Sequence, residues 1–217
     1  MDRCLELHKI FNGMKRYDAN NIDEIPFNNG VYIFFEKGEK YHGMDRIVRV
    51  GTDTGQNNLR RRIKQHLLGL NKDHSVFRKN IGRAFLNKKG NYELLQYWNL
   101  SLTRRENKLK YFDSKQNEKC KALEKEITQY LQSNMEFVAF ELATKEERLR
   151  FEEAIISTLY HAKDFVASQK WLGNFVPTNI SGNHIVDARM WVSQGINAKE
   201  LTDKELERLK QICYAQK

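Results

Sequence analysis

"GVYIFFEKGEKYHGMDRIVRVG", residues 30–51, holds two alternating apolar runs around a polar stretch that carries two glycines. Alternation at period two, interrupted by glycine and charge, is the pattern of a β-hairpin. The spacing predicts strands over 30–36 and 46–50, joined by a loop over 37–45. Successive side chains in a strand point to opposite faces, so Tyr32, Phe34 and Glu36 share one face. A plain hairpin asks neither for Tyr32 at the opening of its first strand nor for Arg49 among the valines of its second.

Outward from the hairpin, "GTDTGQNN" is turn-rich and leads into a helix over 58–70, with Leu59, Ile63 and Leu67 four residues apart. A second helix carries Phe77, Ile81, Ala84 and Phe85 as its apolar stripe and stops at "KKGNY". Residues 90–133 are the most charged part of the chain and read as an inserted helical excursion. "MEFVAFEL" is a third strand, and a helix over 145–160 opens on a capping box, Thr144 with Glu147. Residues 1–26 begin with a helix (Leu5, Leu7, Ile10, Phe11), residues 163–200 are irregular, and "LTDKELERLKQIC" closes the chain as a short helix. The order hairpin, helix, helix, insertion, strand, helix implies an α/β (α+β) fold: a small three-stranded antiparallel sheet flanked by helices.

The 217 residues are 40% apolar, enough for a core, and carry 37 basic against 28 acidic side chains, a net charge of +9. That balance favours a polyanionic partner. Three cysteines without a Cys-x-x-Cys pair give neither a zinc ribbon nor a disulfide framework. With no secretory h-region and no apolar run of membrane-spanning length, the expectation is a cytoplasmic protein without membrane contact.

Two helices carry anomalies. At about 100° per residue, the apolar arc of the 145–160 helix runs from Phe151 through Ile155, Leu159 and Ile156 to Tyr160, and Glu152 falls near its middle. Glu153 falls at its edge. A carboxylate inside an apolar arc is costly unless paired, so Glu152 is either a buried salt-bridge partner or a functional acid, base or metal ligand. In the 58–70 helix, Arg62 and His66 lie one turn apart on one border of the apolar stripe, while Arg61 and Lys64 point away. A guanidinium followed one turn on by an imidazole suits a phosphodiester: one for oxyanion charge, the other for a proton.

Tyrosine on a first strand, a second strand ending in glycine, Arg and His on the next helix and Glu on a later helix together resemble the GIY-YIG nucleases. "GVY" at 30–32 resembles the first tripeptide and "RVG" at 49–51 stands in place of the second. "LRRRIKQH" at 59–66 carries the arginine and histidine, and "FEEAII" at 151–156 is similar to the family's metal-glutamate helix. The resemblance covers about residues 28–175 and implies three units: an N-terminal helical extension (1–26), a nuclease-like domain (27–175) with its insertion at about 90–133, and a C-terminal extension (176–217).

The resemblance implies an endonuclease that hydrolyses phosphodiesters of double-stranded DNA with a divalent cation, Mg2+ or Mn2+, on Glu152. Tyr32, Arg49, Arg62 and His66 would be the catalytic groups, and Arg60, Arg61, Lys64, His74, Arg78 and Asn174 would contact DNA. There are departures. Arg49 replaces the second tyrosine, sixteen residues separate it from Tyr32, and the nearest asparagine after Glu152, Asn174 in "WLGNF", lies well downstream. A compact restriction or phage-defence enzyme acting as a homodimer is the leading expectation. The alternatives are a structure-specific repair or recombination nuclease and a DNA-binding module that does not cut.

Overall fold

The computed structural model describes residues 2–179 and 184–215. In chain order, α1 (Arg3–Asn12) precedes the hairpin β1 (Gly30–Tyr41) and β2 (Met44–Thr52). Then come α2 (Leu59–Leu67), α3 (Val76–Lys88), α4 (Tyr92–Asn99), α5 (Arg105–Tyr111) and α6 (Lys115–Asn134). Strand β3 (Met135–Glu141), α7 (Lys145–His161), the single turn α8 (Ile185–Ala188) and α9 (Asp203–Ala215) complete it. The three strands form one antiparallel sheet in the order β2–β1–β3. This is the α+β architecture that the sequence order implied.

The hairpin is longer than its pattern suggested. Residues 37–45 are not a loop: both strands run on to a two-residue turn at His42 and Gly43, with φ of +47° and +81°. Positive φ at both positions gives the primed turn that matches strand twist. Gly38, at φ +91°, sits where β1 bulges between Phe35 and Lys40. The two glycines of the polar stretch therefore mark a bulge and a turn, which charge alone had made look like one loop.

The β1 alternation sorts the core into two layers. Tyr32 and Phe34 face a layer built by α2, α3, α4 and α6, including Ile63, Phe77, Ile81, Trp98 and Ile127. Val31, Ile33 and Phe35 face a second layer that takes Leu7 and Phe11 from α1, Ile155 and Leu159 from α7, and Leu206 and Leu209 from α9. Both expected extensions thus supply core residues. Most of the expected insertion does too, through α4 and α6; only α5 has no buried residue.

One buried carboxylate seats the irregular segment after α7. Oε2 of Glu36 accepts from the indole nitrogens of Trp171 and Trp191, each at 2.9 Å, and its other oxygen accepts from the Tyr130 hydroxyl. Burial raises its pKa, and these three donors oppose that rise. Trp191 also donates its backbone N–H to the Val48 carbonyl at 2.6 Å. The chain from Trp191 onward is thereby laid along β2, where it walls the site.

Candidate active site

At the Gly51 end of the sheet, Tyr32 pairs across β1 with Gly51 on one side and Ala139 on the other. The small neighbours make room for its ring. A Cβ on Gly51 would lie 2.3 Å from the phenol oxygen, so the glycine of "RVG" is required by the tyrosine of "GVY". Tyr32 is fully buried, and its hydroxyl lies 2.9 Å from Nε2 of His66 on α2, also fully buried. On the other side of the imidazole, Nδ1 is 2.8 Å from Oγ of Ser75, which caps α3 by accepting the Arg78 N–H at 3.2 Å. Burial holds the His66 pKa well below the ordinary histidine range, and the charges of Arg49, Arg62 and Arg78 push the same way. The ring is therefore neutral, with one nitrogen donating and the other accepting.

In front of this relay lies an open cleft of about 410 Å³, lined among others by Arg49, Thr52, Arg62, Asn80, Glu152 and Trp191. Glu152, on α7, is partly buried, while Glu153 beside it is exposed. Burial pushes the Glu152 pKa up to about 7; Arg49, the Thr52 backbone N–H and Arg62 all act to lower it. Arg49 gives one N–H to the Trp191 carbonyl and lies 4.8 Å from the centre of the Phe77 ring, with its Nε buried and unpaired. Arg62 donates to the His74 carbonyl at 3.0 Å and to Oε1 of Gln65 at 3.2 Å.

The four expected catalytic groups and the glutamate are thus divided between two linked places. Arg49, Arg62 and Glu152 line the cleft. Tyr32 and His66 are not among the lining residues, and the charges of Arg49 and Arg62 reach His66.

Of the expected DNA contacts, Arg61 is exposed and bonded to Asn58 within its own turn, at 3.0 Å. Arg60 donates to the Ile25 carbonyl and to Asn28, and Lys64 pairs with Asp23 at 2.7 Å. His74 is exposed beside Arg62.

Two expectations need correction. Arg78 is fully buried, ion-paired with Glu124 at 2.7 Å and donating to the His66 carbonyl at 3.0 Å, so its guanidinium cannot reach a phosphate. Asn174 is exposed, but its amide is turned back onto the Ser168 carbonyl at 2.9 Å, beside the Trp171 that bonds Glu36. Glu36 lies five residues along β1 from Val31, the partner of Thr52, which is about 17 Å of strand from the Glu152 end.

The chain matches the model of a family described as the GIY-YIG domain, over residues 3–217. It belongs to that family. No curated protein and no solved structure matches it. GIY-YIG proteins are nucleases that act on DNA and generally use divalent metals. The match extends beyond residues 28–175 at both ends, in keeping with the α1 and α9 side chains in the second core layer. No helix of the described residues is long and apolar enough to cross a membrane.

The donor set of this GIY-YIG domain suits a hard cation. Glu152 offers carboxylate oxygen in a setting where burial penalises its charge, a penalty that a cation relieves. No group of three or more His, Cys, Asp or Glu among the described residues is arranged to hold a metal. A Mg2+-like ion, which keeps several waters and takes one or two carboxylates plus phosphate oxygens, fits such a site.

Motif reading did not find Asn80, Ser75 as a partner of His66, or the stretch from Trp191 to Gln194 on the cleft wall. An asparagine in a helix interior, a position its type does not favour, was the one legible signal of Asn80, which the fold leaves 3% exposed.

Proposed function

We propose that this chain is a divalent-metal-dependent endonuclease that cuts double-stranded DNA, of the restriction or phage-defence kind. The observation that carries the reading is the convergence of Glu152, Arg49 and Arg62 on one open cleft, with a carboxylate whose pKa burial pushes up to about 7. Mg2+ or Mn2+ held by Glu152 would supply Lewis-acid stabilisation of a phosphate oxygen.

The protein's own groups do the rest. Arg62 stands at the cleft with guanidinium donors for the charge that develops on the phosphate. Arg49 is fixed by the Trp191 carbonyl and the Phe77 face, and its charge favours the ionised form of Glu152. The neutral His66 ring can accept a hydrogen bond from the Tyr32 hydroxyl at Nε2 while Nδ1 donates to Ser75, which fixes the phenol's orientation. Arg60, Arg61, Lys64 and His74 would flank the substrate backbone. A homodimer would place one such site on each strand of the duplex.

A second reading is a GIY-YIG module that binds DNA without cutting it, favoured by the full burial of the Tyr32 hydroxyl. Plasmid incubated with and without Mg2+, beside Glu152→Gln, separates the two. Metal-dependent nicking or linearisation lost in the variant supports the nuclease; binding without any cleavage supports the module.

A further inference from the structure

Helix α3 turns a different side outward from the one its sequence suggested. Arg78 points into the core, whereas its neighbour Lys79, about 100° further round the helix, and Arg83 are only partly buried. Lys79 and Arg83 converge on one residue: the Lys79 amine donates to the Asn99 carbonyl at 3.1 Å, and Nε of Arg83 to Oδ1 of Asn99 at 2.7 Å. The Arg83 guanidinium also donates to Oδ1 of Asn80 at 2.7 Å, and Asn80 lines the cleft. Arg104, exposed at the start of α5, lies within electrostatic reach of Lys79.

The anions nearby do not balance these charges. Asp73 is 3.1 Å from the Lys72 amine and 3.8 Å from that of Lys79, and its other oxygen takes the Leu102 N–H at 2.9 Å. Lys72 and Asp73 offset one another, which leaves Lys79, Arg83 and Arg104 in excess. The Lys79 pKa is lowered, by burial first and then by Lys72, Arg83 and Arg104. Crowding of like charge beside a cleft costs free energy that a polyanion would return.

We propose that Lys79, Arg83 and Arg104 form a phosphate-binding track that holds the DNA backbone beyond the cleft, entering at Asn80 and leaving along α3 toward α5. The occupant is the sugar-phosphate backbone of a DNA strand, because the groups that converge on Asn99 and Asn80 are cationic side chains and amides. The track rests on the nuclease reading for its substrate but not on cleavage.

The test is binding of wild-type protein and a Lys79→Gln/Arg83→Gln/Arg104→Gln variant to a random-sequence duplex in EDTA, as a function of salt. A Lys163→Gln/Lys199→Gln/Lys204→Gln variant removes the same charge elsewhere on the surface. Each lost phosphate contact should make the slope of log Kobs against log salt shallower by about 0.9, so the track variant should lose about 2–3 units of slope and the control variant almost none. Arg104→Gln alone, at an exposed position, should lose about one unit even if the triple variant folds poorly. An unchanged slope, an equal change in the control, or no duplex binding by the wild type overturns the track. Plasmid cleavage in Mg2+ is scored in parallel. A wild type that cuts while the slopes stay equal removes the track and keeps the nuclease; one that never cuts while the track slope falls does the reverse.

Discussion

The Tyr32 hydroxyl and Nε2 of His66 lie 2.9 Å apart where neither residue meets solvent. Tyr32→Phe removes that hydrogen bond and keeps the ring packed over Gly51. Leaving His66 without its partner should cost about 1–3 kcal/mol of stability, read by urea denaturation. DNA affinity should stay within twofold, and cleavage should fall below detection at every pH. A Tyr32→Phe enzyme with full turnover would reduce the tyrosine to core packing.

Glu152 sets a pH dependence of stability with a definite sign. Its pKa rises from an ordinary 4.5 to about 7 in the fold. Between those values the folded chain holds the extra proton, so metal-free stability should be full below pH 4.5 and fall as pH rises through 7. Glu152→Gln should remove that decline and raise stability at pH 8 by on the order of 1–3 kcal/mol. Adding Mg2+ at pH 8 should raise the Tm of the wild type and leave that of Glu152→Gln unmoved. Cleavage should be absent in the variant, and Glu153→Gln should behave like wild type.

Arg49 carries the charge that most favours the ionised form of Glu152. Arg49→Ala should therefore move the acidic limb of the pH–rate profile to higher pH, because the carboxylate loses the positive field beside it. An acidic limb that stays in place would mean that Arg49 serves only to hold the Trp191 carbonyl.

Arg62 and Arg61 are neighbours with different surroundings. Arg62 lines the cleft, whereas Arg61 is exposed and bonded to Asn58. Arg62→Ala should cost roughly 2–4 kcal/mol of transition-state stabilisation, the scale of losing a donor to a developing oxyanion, seen in single-turnover rates. Arg61→Ala should alter the salt dependence of binding and leave those rates alone. Equal losses of rate would make the run a basic surface and nothing more.

Arg78 belongs to the core, and Glu124 is its counter-charge at 2.7 Å. Glu124→Ala strands a buried guanidinium and should destabilise the protein by about 3–5 kcal/mol, measured by thermal or urea unfolding. The salt slope of DNA binding for the fraction still folded should match wild type. A stable Glu124→Ala protein with weakened DNA binding would return Arg78 to the DNA-binding surface.

The elements themselves were legible in the sequence because they are local. The Leu59, Ile63, Leu67 stripe, the alternation through Tyr32 and Phe34, and the Thr144 cap each depend on neighbours a few residues away, and periodicity records them. The phase of α7 was legible for the same reason: it put Glu152 on the apolar arc and Glu153 off it, and the two differ in burial as that phase requires. The fate of residues 37–45 was not legible, since charge marks solvent exposure and an outer ladder is exposed as readily as a loop. Nor was the direction of Arg78 as against Lys79. One residue is about 100° of helix, and the choice was made by Glu124, on an element 46 residues away. The cleft wall was least visible of all. Trp191 has no periodic neighbours to betray it; its place comes from Glu36, which holds its indole 155 residues away in sequence, and from Val48, which holds its backbone. Spacing in the sequence determined which residues share a strand or a helix face. Long-range pairing of buried polar groups, which only the folded chain brings into range, decided which of them meet at the cleft.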